Sequence, residues 1–250
     1  MEKNIKIVIG ILSAPQNILR RCAIRNTWLS TVPHSIDAKF LIRSGESTSE
    51  KLKKECLSND VLCFENILWN ETRRFGPVKT LASWFNASIH FYDLFIKTDD
   101  DVKILKWEPL LKTLNNIPLN VAQVTGRIVW YSWNRILFQQ CGFGWGPKTS
   151  KKSQKTCKKN GLVGPFPLVS GFLMIFSRST VKCYNKYMFE DIYNISIHIH
   201  NKRNYVLEDV WMGSLDHRFC NSHYVHQDFQ SLKVLDHGAF KEKRILTKNV

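Results

Sequence analysis

The sequence predicts an α/β protein with a mostly parallel central sheet flanked by helices. Two observations predict it: β-branched runs alternate with helical patterns through the first hundred residues, and no repeat interrupts the rhythm.

Ile5 to Leu12 is β-branched and stops at Ser13-Ala-Pro, so it reads as a buried strand feeding a loop. Asn17 to Leu29 carries Ile18, Leu19, Cys22 and Ala23 at helical spacing. Ala38 to Ile42 is the next strand, Ser49 to Leu57 a charged helix and Leu62 to Ile67 a third strand. Pro77 to His90 predicts a long helix with Val78, Leu81, Ala82, Phe85 and Ile89 on one face. Leu94 to Lys97 is a fourth strand, and Thr98-Asp-Asp-Asp follows it directly. Then come a helix over Trp107 to Leu114, a strand over Val121 to Trp130, a strand over Gly171 to Ser177 and a helix over Thr180 to Asp191. Val206 to Leu215 holds a second acidic pair, Glu208-Asp209.

Composition narrows the function classes. The 250 residues are 44% hydrophobic and 23% charged, which excludes a disordered chain and allows a full core. No run reaches the roughly 20 apolar residues of a membrane span, so any anchor is expected to lie outside this sequence. Seven cysteines contain no C-x-x-C pair, which disfavours a zinc ribbon and leaves one thiol over if the rest pair. Asn70, Asn86 and Asn194 open glycosylation sequons. The net charge of +15 points to an acidic partner or to a solvated basic surface. Lys148 to Lys159 holds six lysines and no acid and reads as a surface loop. A nucleic-acid module is disfavoured, because those lysines share one loop and no recognition motif accompanies them.

Two acidic clusters carry chemistry. Asp99, Asp100 and Asp101 stand at a strand end, where ligands of parallel sheets bind. Adjacent carboxylates repel unless a cation compensates them, and their hard oxygens suit Mg²⁺ or Mn²⁺ bridged to phosphate. A solvated acidic turn is the plain alternative. Glu208 and Asp209 interrupt an apolar segment, where an unpaired charge is costly. A general base is one reason to keep such a carboxylate; capping a helix is the other.

The motifs together resemble the β1,3-galactosyltransferase family and its fringe-like relatives. Asp-Asp-Asp after Phe95-Ile-Lys-Thr precedes Leu207-Glu-Asp-Val-Trp-Met-Gly by about a hundred residues. Arg21-Cys-Ala-Ile-Arg-Asn-Thr-Trp is similar to the family's R-x-x-I-R-x-T-W. Lys79-Thr80 with Trp84 is similar to its K-T…W helix, and Gly164 to Ser177 to its P-P-Y-C-S-G-G-G-Y-V-L-S stretch. Five motifs stand in the family's order, from about Ile5 to about Gln230.

The resemblance implies a GT-A-type fold spanning 1–250 as one catalytic domain, with a donor and metal half over about 1–115 and an acceptor and base half over about 116–235. It implies an inverting hexosyltransferase that takes UDP-sugar, uses Mn²⁺ (or Mg²⁺) and acts on a glycan acceptor at the Golgi membrane. Asp101, helped by Asp99, would hold the metal, and Asp99 or Asp100 would face the ribose. Arg25 and Lys79 would lie at the nucleotide. Asp209 would be the base, supported by Glu208. His226 matches a C-terminal metal-ligating histidine of relatives, with His223 as its rival. A catalytically inactive relative that binds glycans or acts as a chaperone subunit is the alternative. The chain departs from the family pattern at Leu29, Val169 and Phe172, and the basic loop has no counterpart.

Overall fold

The structure, a computed structural model, describes residues 5–44, 49–65, 76–134, 139–143, 166–199 and 208–240. The Lys148–Lys159 loop, the Asn70 sequon and Cys157 lie outside the described residues.

Strand β1 (Ile7–Ser13) leads into α1 (Ile18–Arg25), then β2 (Ile36–Ser44), α2 (Glu50–Glu55), β3 (Val61–Glu65), α3 (Gly76–Ser88) and β4 (Leu94–Asp99). A short β5 (Val102–Ile104) and α4 (Trp107–Asn115) follow, then β6 (Gln123–Asn134), β7 (Gln139–Phe143) and β8 (Phe166–Ser177). Helices α5 (Arg178–Ile199) and α6 (Glu208–Leu215), and strands β9 (His223–His226) and β10 (Leu235–His237), complete the order.

One sheet runs β3-β2-β1-β4-β8-β6-β7, with β9 beside β6. The pairings β1/β2, β1/β4 and β2/β3 are parallel, whereas β4/β8, β8/β6 and β6/β7 are antiparallel. The α/β class expected from the alternating pattern is therefore borne out, with an antiparallel half appended at β8. Strands β5, β7, β9 and β10 were not foreseen: each has at most five residues, too few to show a period.

Period-two alternation builds a core on each face of the sheet. Ile7, Ile9 and Ile11 of β1 pack with Ile24 and Trp28 near α1 and with Leu110 and Leu114 of α4. Val8 points the other way, among Trp84 and Phe85 of α3, Tyr184 of α5 and Trp211 of α6. All five residues predicted for the buried face of α3 are buried. Val169, the departure at the family's cysteine, is buried in that second core. Disulfides join Cys56 to Cys63 and Cys183 to Cys220, and Cys22 is a free, exposed thiol.

Helix α6 lies against β8 because Gly213 has no side chain. A methyl there would come 2.5 Å from Leu168 Cβ and 2.9 Å from the Pro167 carbonyl oxygen. That contact brings the acidic start of α6 toward the acidic end of β4. Among the described residues, no helix is long and apolar enough to cross a membrane.

Candidate active site

The three aspartates at the end of β4 have three different surroundings. Asp100 is buried and accepts hydrogen bonds from Ser13 Oγ, Asn17 Nδ2 and Arg20 Nη1, each at 2.8 Å. It is thus tied to the loop between β1 and α1. Asp99 turns back along its own strand face and accepts from Lys97 Nζ at 2.7 Å, since residues two apart in a strand share a side. Asp101 faces His237, whose Nε2 lies 3.6 Å from its Oδ1. The register His237↔Val102 in the β5/β10 ribbon makes that meeting.

Glu208 and Asp209 open α6, where carboxylates favour the positive end of the helix dipole. Asp209 is 4% exposed, and its Oδ1 accepts from the Val210 amide at 2.8 Å. Burial, and then the neighbouring Glu208 charge, push its carboxyl up to about 6, against the pull of Lys97. Burial also leads in raising Asp99 to about 6; Lys97 opposes it and Glu208 adds to it. For Glu208, burial pushes upward, but the Lys97 ammonium overrides it and holds the carboxyl below its ordinary value.

Lys97 was not singled out by the sequence reading. It is fully buried and its Nζ donates to Asp99 Oδ1 at 2.7 Å, the Gly171 carbonyl at 2.6 Å and Glu208 Oε1 at 2.8 Å. Burial would strip its proton, but the two carboxylates more than offset that and raise its pKa. Gly171 admits this approach: a methyl there would lie 3.2 Å from both Lys97 Nζ and Glu208 Oε1, and 3.6 Å from Asp209 Oδ2.

A cavity of about 1010 Å³ opens over the cluster, lined by Asp99, Asp100, Asp101, Glu208 and His237. Arg20, Arg43, Ser13 and Asn17 add cationic and hydrogen-bonding groups, while Leu41, Leu52 and Pro77 add apolar wall. Acids at one strand end and cations nearby, in a cleft of this size, suit a ligand with a diphosphate and a flat apolar-faced ring.

Several expected site residues stand elsewhere. Arg25 does not line the cavity. Its guanidinium pairs with Glu55 Oε1 at 2.8 Å and Asp60 Oδ2 at 2.6 Å and lies over the Phe40 ring. The R-x-x-I-R-x-T-W segment acts structurally: Arg21 donates to Ser13 Oγ and the Ala14 carbonyl, and Trp28 Nε1 to the Val102 carbonyl. Arg20, one residue earlier, is the α1 cation that reaches the cavity. Lys79 is half-buried on α3 and outside the lining, although Thr80 belongs to it. His226 sits on β9 opposite Gly126, where its Nδ1 accepts from the Ile128 amide at 3.2 Å; His223 is exposed on the same strand. The imidazole beside the triplet is His237, which the sequence reading missed. Asp209 borders the cluster but is not in the cavity wall, whereas Glu208 is.

Among the described residues, no three or more His, Cys, Asp and Glu side chains are arranged to hold a metal ion. Asp101 and His237 supply two donors, and Asp99 Oδ1 is committed to Lys97. Two protein donors fit a hard divalent cation that completes its shell with water and substrate phosphate.

A family model described as galactosyltransferase matches residues 19–219. No curated protein matches the chain at a significant level. Among solved structures, the galactosyltransferase LgtC is similar at 10% identity and TM-score 0.47, over 89% of this chain and 74% of that one. Mouse xyloside xylosyltransferase 1 is similar at 11% identity and TM-score 0.44, over 90% and 85%. A 4-diphosphocytidyl-2C-methyl-D-erythritol synthase from Anaerococcus prevotii is similar at 12% identity and TM-score 0.48, over 99% and 96%. Likenesses this distant assign no donor, acceptor or stereochemistry.

Proposed function

Since the chain belongs to the galactosyltransferase family and its work is therefore glycosyl transfer, we propose that it moves a hexose from UDP-sugar to a glycan hydroxyl with inversion. The hexose is galactose or an N-acetylhexosamine, and the hydroxyl is the acceptor's 3-OH. The observation that carries this reading is Asp209: a buried carboxylate raised to about 6, next to Glu208 in the wall of an acid-lined cavity that also holds Arg20 and Arg43.

Asp209 accepts the proton of the acceptor hydroxyl. The hydroxyl oxygen attacks the anomeric carbon in line, and the bond to the UDP oxygen breaks with its electron pair going to the diphosphate. A base near the working pH suits this step, because it is ionised yet still basic. Glu208 borders the donor cavity and keeps Asp209 raised. Arg20 lines the diphosphate region and lessens the negative charge that grows there. A divalent cation such as Mn²⁺ held by Asp101 and His237 would add charge stabilisation to the leaving diphosphate. Asp100 anchors the loop that forms the nucleotide wall.

The disulfides Cys56–Cys63 and Cys183–Cys220 fit an oxidising compartment, and family membership fits the secretory pathway. We place the catalytic domain in the Golgi lumen on that basis.

The test is a screen of UDP-sugars against glycan acceptors, with and without EDTA. Transfer by one donor, abolished by EDTA and restored by Mn²⁺, is the expected result. Undiminished transfer in EDTA contradicts the metal reading. Glycan binding without turnover of any donor favours the inactive-relative reading.

A further inference from the structure

Lys97 is buried, so it touches neither donor nor acceptor, and its ammonium spends all three protons inside the protein. Those bonds reach three separate elements: Asp99 on β4, Gly171 on β8 and Glu208 on α6. The Glu208 contact joins residues 111 apart in sequence. No side chain intervenes, because position 171 is glycine and a methyl there would already crowd Lys97 and Glu208.

Stability alone is a poor reason for this arrangement. Burying an ammonium with two carboxylates costs desolvation that an apolar side chain would not incur, and β4 is otherwise apolar over Leu94, Phe95 and Ile96. What the charge adds is geometry: an ammonium with three short bonds fixes α6 relative to the end of β4. Asp209 follows Glu208 directly, so its carboxylate is fixed with it.

We propose that Lys97 is a positioning residue that pins the helix carrying Asp209 to the acidic end of β4, and so sets where the acceptor hydroxyl meets the donor. This rests on reading Asp209 as the base. Loss of the pin leaves donor binding in place and lets Asp209 drift, and a displacement of about 1 Å costs on the order of 100-fold in rate.

The experiment compares wild type with Lys97→Met, Lys97→Gln and Asp209→Asn. It measures kcat and donor KM for transfer, UDP affinity by calorimetry with Mn²⁺, and melting temperature. Lys97→Met is expected to lower kcat about 100-fold while UDP affinity stays within about threefold. Lys97→Gln, which keeps a donor group without the charge, falls between the two. Either variant retaining kcat within about threefold of wild type overturns the proposal, as does a loss of kcat matched by an equal loss of UDP affinity. If Lys97→Met does not fold, Lys97→Gln decides on the same criteria. Wild-type kcat in Asp209→Asn instead overturns the base reading, and the proposal with it.

Discussion

His237 Nε2 lies 3.6 Å from Asp101 Oδ1. The Gly238 amide donates to the Asp101 carbonyl at 2.7 Å, so the backbone fixes the pair as well. Phe172 stacks on the imidazole at 5.3 Å between centroids. The family's second glycine is thus replaced here by a ring that supports a cavity residue.

Metal affinity should depend on both partners. Asp101→Ala and His237→Ala should each weaken Mn²⁺ binding at least about tenfold, read by electron paramagnetic resonance titration with UDP present. His226→Ala should leave it unchanged, since His226 Nδ1 already serves the Ile128 amide. Loss at His226 with none at His237 contradicts this placement.

The cations of α1 divide the same way. Arg20→Met should raise the donor KM, because Arg20 lines the cavity. Arg25→Met should lower the melting temperature through its lost pairs with Glu55 and Asp60 and leave donor KM within about twofold. Steady-state kinetics and thermal melting read the two; a donor KM that moves for Arg25 and not Arg20 returns Arg25 to the nucleotide.

The contrast between these residues shows what the sequence could carry. The apolar alternation of β1 and the face of α3 specified both cores, and an acidic triplet after an apolar strand marked the ligand end of the sheet. Spacing could not tell Arg20 from Arg25: five residues apart on a helix, they point about 140° from each other, and only one side faces the cavity. Lys97 had a local signal, a lone cation in an apolar strand two residues before Asp99. Its partners Gly171 and Glu208 come from distant segments, so the reason for the charge was not local. His237 had no signal: it enters through a three-residue strand paired with another three-residue strand.

Asp209 should cost stability in a pH-dependent way. Its folded value, about 6, lies above the ordinary aspartate value of 3.8, chiefly because the group is buried. Below about pH 4 both states carry the proton and the carboxyl costs nothing. Between about 4 and 6 the unfolded chain ionises first, and above about 6 the full cost applies, on the order of 3 kcal/mol. Asp209→Asn should therefore raise the melting temperature at pH 8 and have no effect at pH 4. Equal melting of the two proteins at pH 8 contradicts the buried charge.

The most direct measurement is kcat of Asp209→Asn at saturating UDP-sugar, Mn²⁺ and acceptor, taken with the Kd for UDP-sugar. Asparagine keeps the size and can still accept from the Val210 amide, so the start of α6 stays in place. Removing a general base lowers kcat by about 10²–10⁴-fold, and that loss is expected with the donor Kd essentially unchanged. A variant that transfers sugar at the wild-type rate, or that loses donor affinity in step with rate, contradicts it.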